Sequence, residues 1–183
     1  MGKLITCRIH HFDIFDGNLK NTETQNLGRD VVRDPVHWLA FGFGAGLLPI
    51  APGTWASFFT ALVFWLIAPL PIIGLVFVIV LMFMAGVWIC GESARRIGVH
   101  DHGGIVFDEI VGMLLTLTVV SHEAVWIAVA FLLFRIADVW KPWPIRDVDH
   151  RMAGGLGIML DDVLAAFYAA LVTFFMQRIF TVI

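Results

Sequence analysis

Residues 72–90 form an unbroken run of nineteen uncharged side chains, almost all apolar. That length matches the roughly 20 residues an α-helix needs to cross the hydrocarbon core of a bilayer. Inside lipid, every backbone N–H and C=O must find its partner within the protein, so a chain committed to a membrane folds as helices or as a closed barrel. Here the apolar runs are long and do not alternate with polar residues, which predicts helices. Composition agrees: 59% of the residues are hydrophobic and 15% charged, with a mean hydropathy of +0.85, against about 25% charged in soluble domains. Sixteen Phe and seven Trp suit a lipid-facing surface with aromatic interface anchors. A net charge of −3 excludes a strongly basic nucleic-acid binder, and no nucleic-acid partner is expected.

The remaining runs define the organisation. Residues 1–36 read as a polar cytoplasmic tail with Asp13, Asp16, Glu23, Asp30 and Asp34, and no cleavable signal peptide is expected. The spacing of Asp13 and Asp16 faintly evokes aspartyl phosphatases, but it is three rather than two and belongs to a solvated tail. Cys7 and Cys90 lie in unlike contexts and imply no disulfide framework. Residues 37–183 read as the membrane-embedded domain. Its first part, 37–54, is apolar but broken by Gly42, Gly44, Gly46, Pro49, Pro52 and Gly53, a density of breakers that predicts a short or re-entrant segment sheltered by protein. Helices are expected over 55–68, 72–90, 105–120, 124–137 and 158–179. The fold class is therefore an all-α, polytopic integral membrane helical bundle of about four to five spans plus the broken segment. Lys3, Arg8, Lys20, Arg29, Arg33, Arg95, Arg96, Arg135, Lys141, Arg146 and Arg151 fall on one side of that topology and Arg178 on the other. The positive-inside rule puts the first set in the cytoplasm.

Against this background the acidic residues are out of place. Asp108 and Glu109 enter an apolar stretch, Asp138 sits near the end of another, and Asp161 and Asp162 open a third after Gly154, Gly155 and Gly157. A charge inside a membrane segment costs several kcal/mol, so such residues usually face a polar cavity and do chemistry or move ions. One plain alternative for Asp108 and Glu109 is a helix-start pair stabilised by the helix dipole. Another, for Arg135 and Asp138, is an interfacial pair with a snorkelling arginine. Taken together, the acids suggest a cation site, with Asp108, Glu109, Asp138, Asp161 and Asp162 as candidate ligands. Oxygen ligands without cysteine favour a hard ion such as Mg²⁺, which typically binds few carboxylates plus phosphate oxygens. Arg135 and Asp138 share a helix face at i,i+3, and Lys141 follows before Pro142 ends the helix. Cations beside acids fit phosphoryl chemistry better than ion conduction. Asp101, Asp108, Glu109 and Asp138 are the candidate catalytic residues. Arg135, Lys141, Arg146, His100 and His102 are candidates for holding a substrate phosphate. The competing class is a small cation or proton transporter, which would be expected to show inverted repeats; none is visible.

Four motifs in order carry a resemblance. The first covers Trp38 through Gly42, Gly44 and Gly46 to Pro52, Gly53 and Thr54. The second runs from Val99, His100, Asp101 and His102 to Asp108 and Glu109. The third joins Phe134, Arg135, Asp138, Lys141, Pro142, Pro144 and Arg146. The fourth joins Gly154, Gly155 and Gly157 to Asp161 and Asp162. Over about residues 36–180 the chain resembles the bacterial phosphatidylglycerophosphatase A family. Ala56 stands where that family typically has glycine, a departure that touches no acid. The resemblance implies Mg²⁺-dependent removal of the terminal phosphate from phosphatidylglycerophosphate, a phospholipid substrate taken from the bilayer. It also implies a multi-pass protein of the bacterial inner membrane with its site facing the cytoplasm.

Overall fold

Asp34 opens the helix Pro35–Ala40. Its Oδ1 accepts from the Val36 N–H at 2.9 Å, and Pro35 takes the first helical position, where its missing N–H costs nothing. That backbone N–H holds the Asp34 carboxyl below its ordinary range; partial burial opposes the shift and Arg96 reinforces it. The computed structural model describes residue 28 and residues 31–67, 71–99, 102–146, 152 and 154–182. Most of the expected tail, with Cys7, Asp13 and Asp16, lies outside the described residues, as do His100, Asp101 and Arg151.

Helix α1 (Pro35–Ala40) leads into a 3-10 segment (Gly42–Leu47) in which Phe43 and Gly44 take positive φ values of 58° and 98°. The breakers of 37–54 thus produce the irregular backbone expected there. The Val106 N–H donates to the Ala40 carbonyl at 2.9 Å and ties this segment to the stretch of chain just before Phe107. Five longer helices follow: α2 (Pro52–Leu66), α3 (Ile72–Ile97), α4 (Phe107–Leu117), α5 (Ala124–Trp140) and α6 (Gly155–Val182). Among the described residues every regular element is helical.

Helix α6 is the centre of the bundle and packs against α3, α4 and α5, while α2 packs on α4 and α5. Two apolar clusters fill the contacts. One joins Phe41, Cys90, Phe107, Val111 and Met159; the other joins Met113, Leu117, Phe134, Ala165 and Ala166. The buried small residues of α6 allow close helix approach, the usual solution where lipid removes the hydrophobic drive between helices. Gly155 shows the limit: a Cβ there would strike the Val87 carbonyl of α3.

Among the described residues two helices are long and apolar enough to cross a membrane, Ile72–Ile97 and Gly155–Phe180. Helix α3 turns Ile73, Phe77, Leu81, Met84 and Trp88 outward, an apolar face suited to lipid rather than water. It also runs past the expected end at residue 90. Glu92 pairs with Arg95 and Arg96 at 2.7 Å each, helical i,i+3 and i,i+4 spacings that support another turn. Gly98, at φ 79°, then closes the helix. Helices α2, α4 and α5 form near the spans expected at 55–68, 105–120 and 124–137, but have 15, 11 and 17 residues, short of the roughly 20 a straight crossing needs.

The beginnings of α2, α4 and α6 meet the ends of α3 and α5 at one end of the bundle, where Gly53 abuts Glu109 and Gly86 abuts Met159 and Phe107. The opposite end is closed by His122, whose Nε2 meets the Phe64 and Ile67 carbonyls at 2.9 and 3.1 Å.

Candidate active site

Asp108 and Glu109 occupy the first turn of α4, whose N-cap, Val106, offers no side-chain acceptor. Asp108 takes that role from inside the turn: its Oδ1 accepts from the Glu109 N–H at 3.1 Å. On α6, Asp161 does the same for the Asp162 N–H at 3.0 Å. The α4–α6 contact then brings Asp108, Glu109 and Asp162 together, one oxygen from each lying within 4.8 Å of the others. Asp108 is 8% exposed and Asp162 3%. Ionised carboxylates at that spacing repel by about 4 kcal/mol per pair at an effective dielectric near 20, so the cluster needs compensating positive charge.

The hydrogen-bond pattern points the same way. Glu109 Oε2 and Asp162 Oδ2 are buried and accept no hydrogen bond, which ordinarily costs about 1–3 kcal/mol per group and more for a charged one. Three carboxylates gathered this closely, two of them with an unused oxygen and with no nitrogen or sulfur donor among them, are the donor set of a hard cation. The residues present therefore fit Mg²⁺.

Arg135, on α5, borders this centre. Its Nη1 lies 2.7 Å from Asp138 Oδ2, yet Nε and Nη1 are buried without an aligned hydrogen-bond acceptor. Asp138 fixes the guanidinium by charge while leaving hydrogen-bond capacity for another anion. Asp138 also stands within electrostatic reach of Glu109 and Asp162, so α5 closes the third side of the site.

The other sequence candidates are placed differently. Asp161 stands outside the three-carboxylate group and its Oδ2 accepts from Lys141 Nζ at 2.8 Å. That bond ties the end of α5 to α6 and engages Lys141 with a carboxylate of the chain itself. Lys141 adopts φ 45° as the C-cap of α5. Arg146 is exposed. His102 accepts from the Gly104 N–H through Nδ1 at 3.0 Å and packs on Phe41, which shapes the loop before α4. His100 and Asp101 lie outside the described residues.

Gly53 received no role from the sequence. It sits in the first turn of α2, and a Cβ there would run into Glu109 Oε1 and come within 3.4 Å of Arg135 Nη1. The missing side chain is what lets the Glu109 carboxylate reach its position. Pro52, Gly53 and Thr54 signal a helix start, but nothing in one sequence reveals which side chain leans on that glycine.

Fold and site together define a helical, membrane-associated protein that gathers three carboxylates beside an arginine. The phosphatidylglycerophosphatase A family model matches residues 38–177. The chain is 46% identical over 144 residues to phosphatidylglycerophosphatase A of Escherichia coli, covering 78% of this chain and 83% of that protein. It is 44% identical over 158 residues to phosphatidylglycerophosphatase A of Haemophilus influenzae, covering 85% of this chain and 97% of that one. The chain belongs to the phosphatidylglycerophosphatase A family. No solved structure matches it.

Proposed function

We propose that this protein hydrolyses the terminal phosphate of phosphatidylglycerophosphate, releasing phosphatidylglycerol and inorganic phosphate at the membrane. The observation that carries the reading is the convergence of Asp108, Glu109 and Asp162 beside Arg135 in a chain of this family. Water supplies the new P–O bond, the bond to the glycerol oxygen breaks, and that oxygen takes up a proton. Phosphoryl transfer demands mostly positioning and charge stabilisation from the protein. Asp108, Glu109 and Asp162 would hold Mg²⁺, which supplies Lewis-acid stabilisation of charge on the phosphoryl oxygens. Arg135 binds non-bridging oxygens through its planar fork, Asp138 holds that fork in place, and Gly53 leaves room for Glu109. Ion transport, the other use of buried carboxylates, would need no such fork.

Arg135→Lys tests the phosphate clamp. Lysine keeps the charge but loses the two-pronged geometry, so kcat/KM for phosphatidylglycerophosphate should fall by ~10²-fold or more. The Mg²⁺ concentration for half-maximal activity should stay close to that of the wild type, since a cation is not a ligand. Near-normal turnover would leave Arg135 with only its Asp138 pairing and remove it from the site.

The same reading includes a multi-pass arrangement of about four to five spans in the inner membrane, with the site on the cytoplasmic side. Supporting it, Arg96, Arg135 and Lys141 lie toward the carboxylate end of the bundle and His122 closes the other. In intact cells, single cysteines placed at positions 103 and 144 should resist membrane-impermeant thiol reagents, and one at 122 should react. The reverse labelling pattern would overturn this orientation.

A further inference from the structure

We propose that an apolar groove beside the carboxylates, along α2 and α4, holds one acyl chain of the substrate, an assignment that rests on the phosphatase reading above. The groove encloses about 530 Å³ between the 3-10 segment, α2, α3 and α4, within the range of small-molecule sites. Its near end lies beside the reaction centre, since the lining residue Ala56 is one turn beyond Gly53 and the lining residue Ile110 follows Glu109 on α4. It then continues past Thr60 and Val63 to Ile67 and Leu75. Of the side chains lining it, only Thr60 is polar, and its hydroxyl donates to the Ala56 carbonyl at 2.8 Å. The wall therefore offers a ligand no free polar side-chain group.

Depth and direction match one occupant. Helix α2 rises ~1.5 Å per residue, so Ile67 lies roughly 20 Å beyond Gly53. One leaflet's share of a hydrocarbon core is about 15 Å. The groove is open sideways, where Val63 and Ile67 are 51% and 54% exposed, so a chain can enter laterally from the bilayer without leaving the apolar phase. A phospholipid whose phosphate is held at Arg135 must send its acyl chains away from that polar end, and this groove is an apolar path that lies beside it.

The test uses the full chain in mixed micelles with dioleoyl and dibutanoyl phosphatidylglycerophosphate. Thr60→Leu and Val63→Trp fill the groove mildly and severely, and Val80→Trp adds the same bulk on the outer face of α3. The ratio of kcat/KM for the long-chain to the short-chain substrate should fall ~10-fold or more for the groove variants, the scale of a misfit in an apolar pocket. It should not change for Val80→Trp. A variant that misfolds loses both substrates together, in which case the milder one decides. An unchanged ratio in a folded groove variant means that the groove meets only bulk lipid, and it overturns the assignment. Failure of the underlying phosphatase reading looks different: the wild type then releases phosphate from neither substrate.

Discussion

Glu109→Gln should lower phosphate release by ~10²–10³-fold or more while making the chelator-treated protein more stable to heat. The first effect follows because the amide keeps the shape of Glu109 but removes a charge from the group formed with Asp108 and Asp162. The second follows from electrostatics: without a cation, each ionised pair at that spacing repels by about 4 kcal/mol at an effective dielectric near 20. A buried unpartnered Oε2 adds a desolvation cost that the amide reduces. The two readouts are phosphate release from phosphatidylglycerophosphate and thermal unfolding in detergent with chelator. Near-normal turnover would exclude Glu109 from the reaction. Lower stability in chelator would show that Glu109 is an ordinary structural acid and that the cluster is not strained by charge.

Gly53→Ala should be almost as damaging, although it adds one methyl group and changes no charge. Within a helix, replacing glycine by alanine normally stabilises by about 0.5–1 kcal/mol, and a purely structural view of Gly53 predicts a modest gain in stability with full activity. Here the new Cβ would collide with Glu109 Oε1 and come up against Arg135. The carboxylate has to move, and a displacement of about 1 Å in a positioned group can cost 10²-fold in rate. Turnover should fall by that order while the protein still inserts and purifies as a folded species. Full activity in Gly53→Ala would mean that Glu109 tolerates another position and that the tight contact has no catalytic consequence.

The sequence exposed the helical bundle through its long uncharged runs, and exposed the site through acids where a membrane helix tolerates few. Both signals are local. Asp108 and Glu109 stand out because their neighbours are Phe107, Ile110 and Val111, and the breakers from Gly42 to Gly53 announce irregular backbone without any partner being known. What the sequence hides is non-local. It treats Asp161 and Asp162 as equivalent, whereas successive positions on a helix point about 100° apart. Asp162 accordingly faces the carboxylates of α4 while Asp161 faces Lys141. Lys141 and Asp161 are 20 residues apart, so their pairing depends on how α5 meets α6. The length of α3 was also hidden, because charged residues suggest the end of a membrane helix. In this chain Glu92, Arg95 and Arg96 satisfy one another and extend it.

The most direct measurement of the central claim is phosphate release from phosphatidylglycerophosphate by the purified full chain, first in excess EDTA and then after adding back Mg²⁺. If Asp108, Glu109 and Asp162 hold a cation needed for hydrolysis, release should stop in chelator and return with Mg²⁺, because the carboxylates then regain the charge that neutralises them. Full activity in EDTA from protein carrying no bound metal would contradict the account.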